Sequence, residues 1–136
     1  MHNKEGSIDW QSLQVLIADD QRLALDTLQD MLAELGITKI YAAKSGVEAL
    51  KFADAFGDTI RVFICDWNMP GLTGMGLLEK LRGALVSTPF LMVTGRSDVG
   101  SIIDAKKSGV TGYILKPFSL AELRDKITKV LTELVE

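Results

Sequence analysis

Five side chains capable of ionic or nucleophilic chemistry stand directly after short apolar runs in this sequence. Asp19 and Asp20 follow residues 13–18, Asp66 follows 62–65, Thr94 follows 90–93, and Lys116 follows 112–115 and precedes Pro117. Taken singly, each has an ordinary explanation. Asp20 could cap a helix, and Asp66 could be a turn acid before Asn68, Pro70 and Gly71. Thr94 could merely end a strand, and Lys116 could be a solvated charge. Gathered at one edge they do more. Three crowded carboxylates repel and raise one another's pKa, and a divalent cation relieves that repulsion. Oxygen donors without a neighbouring His or Cys suit a hard ion such as Mg2+. Lys116 and Thr94 then suit phosphate oxygens as a point charge and a hydroxyl donor. A carboxylate flanked by metal, amine and hydroxyl is a candidate nucleophile toward phosphorus, with charge neutralisation and positioning supplying most of the catalysis.

The elements between these residues can bring them together. Continuous apolar runs at 13–18, 62–65 and 90–93, with weaker ones at 37–42 and 112–115, fit strands buried on both faces. Helical patterns alternate with them. Leu25, Leu28, Leu32 and Leu35 repeat at helical spacing before the stop residue Gly36. Ser45 with Glu48 forms a capping box that opens a helix to about Phe56. Helices are predicted over 74–82 and over 98–108, the latter ended by Gly109. Ser119 with Glu122 opens a final helix that turns Leu120, Leu123, Ile127, Val130, Leu131 and Leu134 inward. This βα alternation predicts an α/β fold, a parallel five-stranded sheet in a three-layer, doubly wound (βα)5 arrangement. In such sheets ligands bind beyond the carboxyl ends of the strands, where all five side chains are expected.

The 136 residues suffice for one domain with its own core. Hydrophobic residues make up 47% and charged residues 24%, which excludes disordered and fibrous classes. Eighteen acids against 15 bases give a net charge of −3, a poor balance for a nucleic-acid clamp. Cys65 is the single cysteine, so neither an intrachain disulfide nor a cysteine-cluster metal site can form. Residues 1–10 lack a signal-peptide pattern, and no apolar stretch approaches the roughly 18 residues of a membrane helix. We expect a cytoplasmic protein with a loose arm at 1–12, packed down by Trp10, and one domain at 13–136.

Four segments, IADD (17–20), CDWNMPGLTG (65–74), MVTG (92–95) and GYILKPF (112–118), resemble in order and spacing the receiver domain of bacterial two-component response regulators. The chain is most similar to stand-alone receivers of the CheY type. The resemblance implies the flavodoxin-like strand order 2-1-3-4-5 that CheY shares. It also implies that Asp66 is the phosphoacceptor, and that Asp19, Asp20, Asp66 and the backbone carbonyl of Asn68 hold Mg2+. Thr94 and Lys116 would contact the phosphoryl group, the Lys116–Pro117 peptide would be cis, and Thr94 with Tyr113 would form the switch. Gly95 stands where the family often carries Ala, and Arg96 is expected, with Asn68, to tune the lifetime of the modification.

As a receiver, the chain would take phosphate from a sensor histidine kinase or a phosphotransfer protein. It would signal to an effector protein through the helix predicted over 98–108, the fifth strand and the final helix, with Ile102, Ile103, Lys106, Lys107 and Tyr113 as contact candidates. A monomer is expected, with neither nucleic acid nor membrane as partner. Chemotaxis is one output; a phosphorelay shuttle and a phosphate sink are others. Two other classes fit less well. An aspartate-nucleophile phosphohydrolase would carry a DxD pattern, whereas Gln21 stands two residues after Asp19. A flavin carrier would have a hydroxyl- and glycine-rich phosphate loop where Asp19 and Asp20 stand. A P-loop nucleotide switch is excluded because the sequence lacks GxxxxGK[ST].

Overall fold

The computed structural model describes residues 8–84, 86–95, 100, 103 and 106–132. Five strands, β1 (Gln14–Ala18), β2 (Lys39–Ala43), β3 (Val62–Asp66), β4 (Phe90–Thr94) and β5 (Gly112–Leu115), form one sheet. Its order is β2-β1-β3-β4-β5, and every pairing is parallel. Among the described residues the helices with complete bounds are α1 (Arg22–Glu34), α2 (Gly46–Phe56), α3 (Gly74–Gly83) and α4 (Leu120–Thr132). Of the helix expected over 98–108, Gly100, Ile103, Lys106 and Lys107 are described and helical; Arg96 and Ile102 lie outside the described residues.

The apolar runs divide by parity because successive strand side chains point to opposite faces. Val15, Ile17, Val62, Ile64, Leu91, Val93 and Ile114 meet Leu25, Leu28 and Leu32 of α1 and Leu123, Ile127 and Val130 of α4. Leu16, Ala18, Phe63, Cys65, Phe90 and Met92 meet Ala49 of α2 and Leu77, Leu78 and Leu81 of α3. Each central strand is therefore buried on both faces, which is why its sequence is continuously apolar rather than alternating.

A 3-10 turn, Trp10–Ser12, precedes β1. Trp10 is half-buried against the α1–α4 layer, with the Arg124 guanidinium 5.9 Å from its ring. This part of the arm is packed down as expected. At the same end of the sheet, Arg82 of α3 donates from Nε to the Gly109 carbonyl at 3.0 Å and from Nη1 to the Val86 carbonyl at 2.7 Å. It thereby joins the segments that lead into β4 and β5.

The helix ends follow the expected chemistry with one shift of register. Ser119 and Glu122 make a reciprocal capping box: the Glu122 N–H donates to Ser119 Oγ at 3.1 Å, and the Ser119 N–H donates to Glu122 Oε1 at 2.9 Å. At α2 the Glu48 N–H donates to Ser45 Oγ at 3.0 Å, but Glu48 Oε1 accepts from the Lys44 N–H at 2.7 Å rather than from Ser45. Gly36 and Gly109 carry φ of +101° and +97°, the left-handed backbone that ends helices at glycine.

Candidate functional site at the carboxyl edge of the sheet

Register decides which side chains meet. Ala18 of β1 stands opposite Cys65 of β3, so Asp19 and Asp66 lie level on adjacent strands. Asp66 stands opposite Val93, which places Thr94 one residue beyond it on the other side. Thr94 stands opposite Leu115, and the Lys116 N–H donates to the Thr94 carbonyl at 2.8 Å. The chain passes from β1 out to β2 and returns to β3 on the other side of β1, so Asp19, Asp20 and Asp66 occupy the point where the winding reverses. Asp66 and Thr94 are the last residues of their strands rather than the first residues after them.

Among the described residues, the buried polar or charged ones are Asp19, Asp66 and Thr94. All three stand at this edge. Lys116 Nζ lies 2.7 Å from Asp66 Oδ1 and 3.3 Å from Asp19 Oδ2. The Asn68 N–H donates to Asp66 Oδ2 at 3.1 Å, and the Gln21 N–H donates to Asp19 Oδ1 at 2.9 Å. Asp20 is exposed and does not cap α1: the N-cap residue is Gln21, without a side-chain cap bond. The ordinary explanation of Asp20 as a helix cap therefore does not describe the structure. One carboxylate oxygen from each of Asp19, Asp20 and Asp66 lies within 4.8 Å of the others. Thr94 is 1% exposed, and its hydroxyl donates to the Gly95 carbonyl at 3.3 Å. The Lys116–Pro117 peptide is cis.

Burial raises the pKa of Asp66 above the ordinary carboxylate range, and the charge of Asp19 adds to the rise. The Lys116 hydrogen bond and charge and the Asn68 N–H oppose it. For Lys116, burial alone would depress the ammonium pKa, but Asp66 and then Asp19 outweigh it and the net shift is upward. An ammonium ion held between two carboxylates is the result. Burial, followed by the charge of Asp66, also pushes the Cys65 thiol far up, so Cys65 behaves as a small core hydrophobe.

The oxygen-only donor set fits a divalent cation. Asp19, Asp20 and Asp66 bring three negative charges, and Lys116 brings one positive charge. A cavity of about 560 Å3 opens from Asp19, Asp66 and Lys116 along an apolar wall that includes Leu23, Ala24, Met31 and Phe118. Leu23 is 80% exposed.

Away from the edge, Tyr113 is half-buried. The ammonium groups of Lys106 and Lys126 lie 5.8 and 5.1 Å from its ring centre. These residues line a cavity of about 470 Å3 together with Lys129. Ile103, at 57% exposed, and Lys106 and Lys107 face solvent. The sequence reading missed Lys126 and Lys129, whose spacing signals only an exposed helical face. It also missed the Gln21 amide, which no side-chain motif marks.

Residues 15–128 match the family described as the response regulator receiver domain. Chemotaxis protein CheY1 of Helicobacter pylori is 36% identical over 121 residues, covering 88% of this chain and 97% of that protein. Chemotaxis protein CheY of Pseudomonas aeruginosa is 36% identical over 120 residues, covering 87% and 95%. The solved structure of Vibrio cholerae chemotaxis protein CheY4 superposes with a TM-score of 0.80 at 30% identity, covering 88% of this chain and 98% of that one.

Proposed function

The chain belongs to the response-regulator receiver family, and from that premise we propose that it accepts a phosphoryl group on Asp66 and switches the binding of a partner protein. The observation that carries this reading is the Lys116 ammonium held 2.7 Å from Asp66 and 3.3 Å from Asp19 at the reversal point of the sheet. An Asp66 carboxylate oxygen attacks phosphorus, the bond from phosphorus to a donor's imidazole nitrogen breaks, and an aspartyl phosphate forms on the protein. The donor is a sensor histidine kinase or phosphotransfer protein, received along the apolar wall beside Asp66. Lys116 holds the carboxylate in place and meets the charge of the arriving phosphoryl oxygens. Thr94 supplies a hydroxyl donor to the same group. Asp19, Asp20, Asp66 and the Asn68 carbonyl would hold Mg2+, which neutralises oxygen charge when bound.

The phosphoryl group adds roughly −1.5 to −2 of charge and three strong acceptors. Bonds from Thr94 and Lys116 to those acceptors favour one arrangement of the β4 and β5 ends over another. Tyr113, which lies on β5 with the Lys106 and Lys126 ammonium groups 5.8 and 5.1 Å from its ring centre, reads that change out to an effector. The names of the relatives favour chemotaxis as the output, in the cytoplasm, with the protein acting as a monomer.

The test is labelling by acetyl phosphate with and without Mg2+. We expect Mg2+-dependent, acid-stable and base-labile incorporation that Asp66→Asn abolishes. Unchanged labelling of Asp66→Asn would overturn the acceptor assignment.

A further inference from the structure

The 66–74 loop begins at the phosphoacceptor and carries Asn68, and two backbone approaches hold it so tightly that only glycine fits at either. A Cβ added at Gly74 would lie 2.3 Å from the Asp66 carbonyl oxygen, and the Gly74 N–H donates to the Trp67 carbonyl at 3.0 Å. This contact closes the loop on itself. The second approach comes from a different element. Gly46 is the first residue of α2, and a Cβ there would lie 2.2 Å from the Leu72 carbonyl oxygen, 2.9 Å from Leu72 Cβ and 3.0 Å from its carbonyl carbon. These are mostly backbone atoms, which no side-chain rotation can clear.

We propose that Gly46 is a positioning residue for the phosphorylation site: by letting the start of α2 touch the Leu72 carbonyl, it fixes the 66–74 loop and with it the cation affinity of the carboxylate cluster. The inference rests on the Mg2+-dependent reading above. The direction of the effect follows from which partner can yield. Ala49 is wholly buried between α2 and the sheet, and the Ser45 and Glu48 caps fix the first turn. By contrast, Asn68, Pro70, Gly71 and Thr73 of the loop are exposed and Leu72 is only half-buried, Met69 alone between Trp67 and Gly74 being buried. A methyl group at position 46 therefore moves the loop, and the Leu72 carbonyl must retreat by about 0.8 Å to regain even the 3.0 Å limit for a Cβ contact. That displacement reaches the Asn68 N–H, which holds Asp66 Oδ2 at 3.1 Å, and the Asn68 carbonyl beside it. Gly46 touches no reacting atom, so its effect on the site is transmitted through the backbone.

Two tryptophans make the claim measurable. Trp67 adjoins Asp66 and packs against the α2–α3 layer, whereas Trp10 sits at the opposite end of the sheet against the α1–α4 layer. In a Trp10→Phe background, Mg2+ is titrated against Trp67 fluorescence, with circular dichroism recording the fold. Gly46→Ala is expected to weaken Mg2+ binding roughly 10-fold, the range seen when groups supporting metal ligands are lost. Val130→Ala, destabilising from the other layer, is expected to leave the Mg2+ midpoint unchanged. Ser45→Ala, which loosens the first turn of α2 without a clash, is expected to weaken binding by less and answers the question if Gly46→Ala does not fold. Mg2+ midpoints equal to wild type in a folded Gly46→Ala, or in Ser45→Ala if it alone folds, overturn the inference and leave the phosphoacceptor reading standing. A weakening shared by Val130→Ala overturns it as well, because the effect would then be general instability. Absence of any Mg2+ response in the unaltered protein overturns both.

Discussion

Within β3, Val62 to Cys65 and the next residue, Asp66, answer to different requirements. The first four are almost wholly removed from water and packed on both faces of the sheet. Asp66 is just as firmly placed by the ladder, yet it is an ionisable group whose carboxylate form burial disfavours. The same break recurs at Ala18 and Asp19 and at Val93 and Thr94; on β5 the buried residue is Ile114, and the exposed Leu115 stands between it and Lys116. Four of the five strands are stabilising rods with a chemically capable tip; β2, which ends at Ala43, is not. Stability and reactivity are therefore separated along the strand axis by a residue or two, and a substitution should damage one or the other according to which side of that line it falls.

The sharpest contrast is at the tip of β3. Asp66→Asn should abolish acetyl-phosphate labelling while leaving a folded, cooperative urea transition. Loss of the transition together with labelling would erase the distinction. Lys116→Met should retain the fold and slow labelling by about 100-fold or more, the scale on which a charge-stabilising donor matters; labelling at the wild-type rate would show that the ammonium is only structural. On the other side of the line, Ile64→Ala should lower unfolding free energy by roughly 2–5 kcal/mol, as for a fully buried large-to-small change, while the fraction still folded labels normally. Asp20→Asn should leave the protein folded and, without Mg2+, at least as stable, because it removes one of three carboxylates whose oxygens lie within 4.8 Å of one another, yet weaken Mg2+ binding measured by Trp67 fluorescence. The smallest signal belongs to Cys65, buried beside the acid. Its thiol should react with an alkylating reagent in the folded protein only at the rate set by transient opening, and rapid labelling without unfolding would show that the strand interior is more open than its packing indicates.

How much of this was legible from the residues depends on whether the signal was local. The apolar runs marked the strands because burial on both faces leaves no room for alternation, and the chemically capable residue after four of the five runs marked the edge. Order and pairing came from family likeness, since nothing in an apolar run says which neighbour it takes. Strand boundaries were off by a residue or two: Asp66 and Thr94 are paired strand residues although their polarity read as the start of a loop. β2 runs from Lys39 to Ala43 rather than over 37–42, because the Ile37 N–H donates back to the Leu32 carbonyl at the end of α1 and its side chain is wholly buried with Leu25, Leu28 and Leu32. Capping was the ordinary alternative for Asp20 because Asp is chemically suited to that place, but the backbone gives the N-cap position to Gln21. Gly46 and Arg82 were illegible for a common reason. Their partners, Leu72 and Gly109, are 26 and 27 residues away, and no spacing rule reaches that far.

The Arg82 contacts carry one more consequence. A single guanidinium grips the carbonyls of Val86 and Gly109, just ahead of β4 and β5, at the end of the sheet remote from Thr94 and Lys116. The two strands are thus riveted at the foot like the ribs of a hand fan. Any splaying between them opens widest at the tips, where a phosphoryl group would sit, and fades toward the rivet.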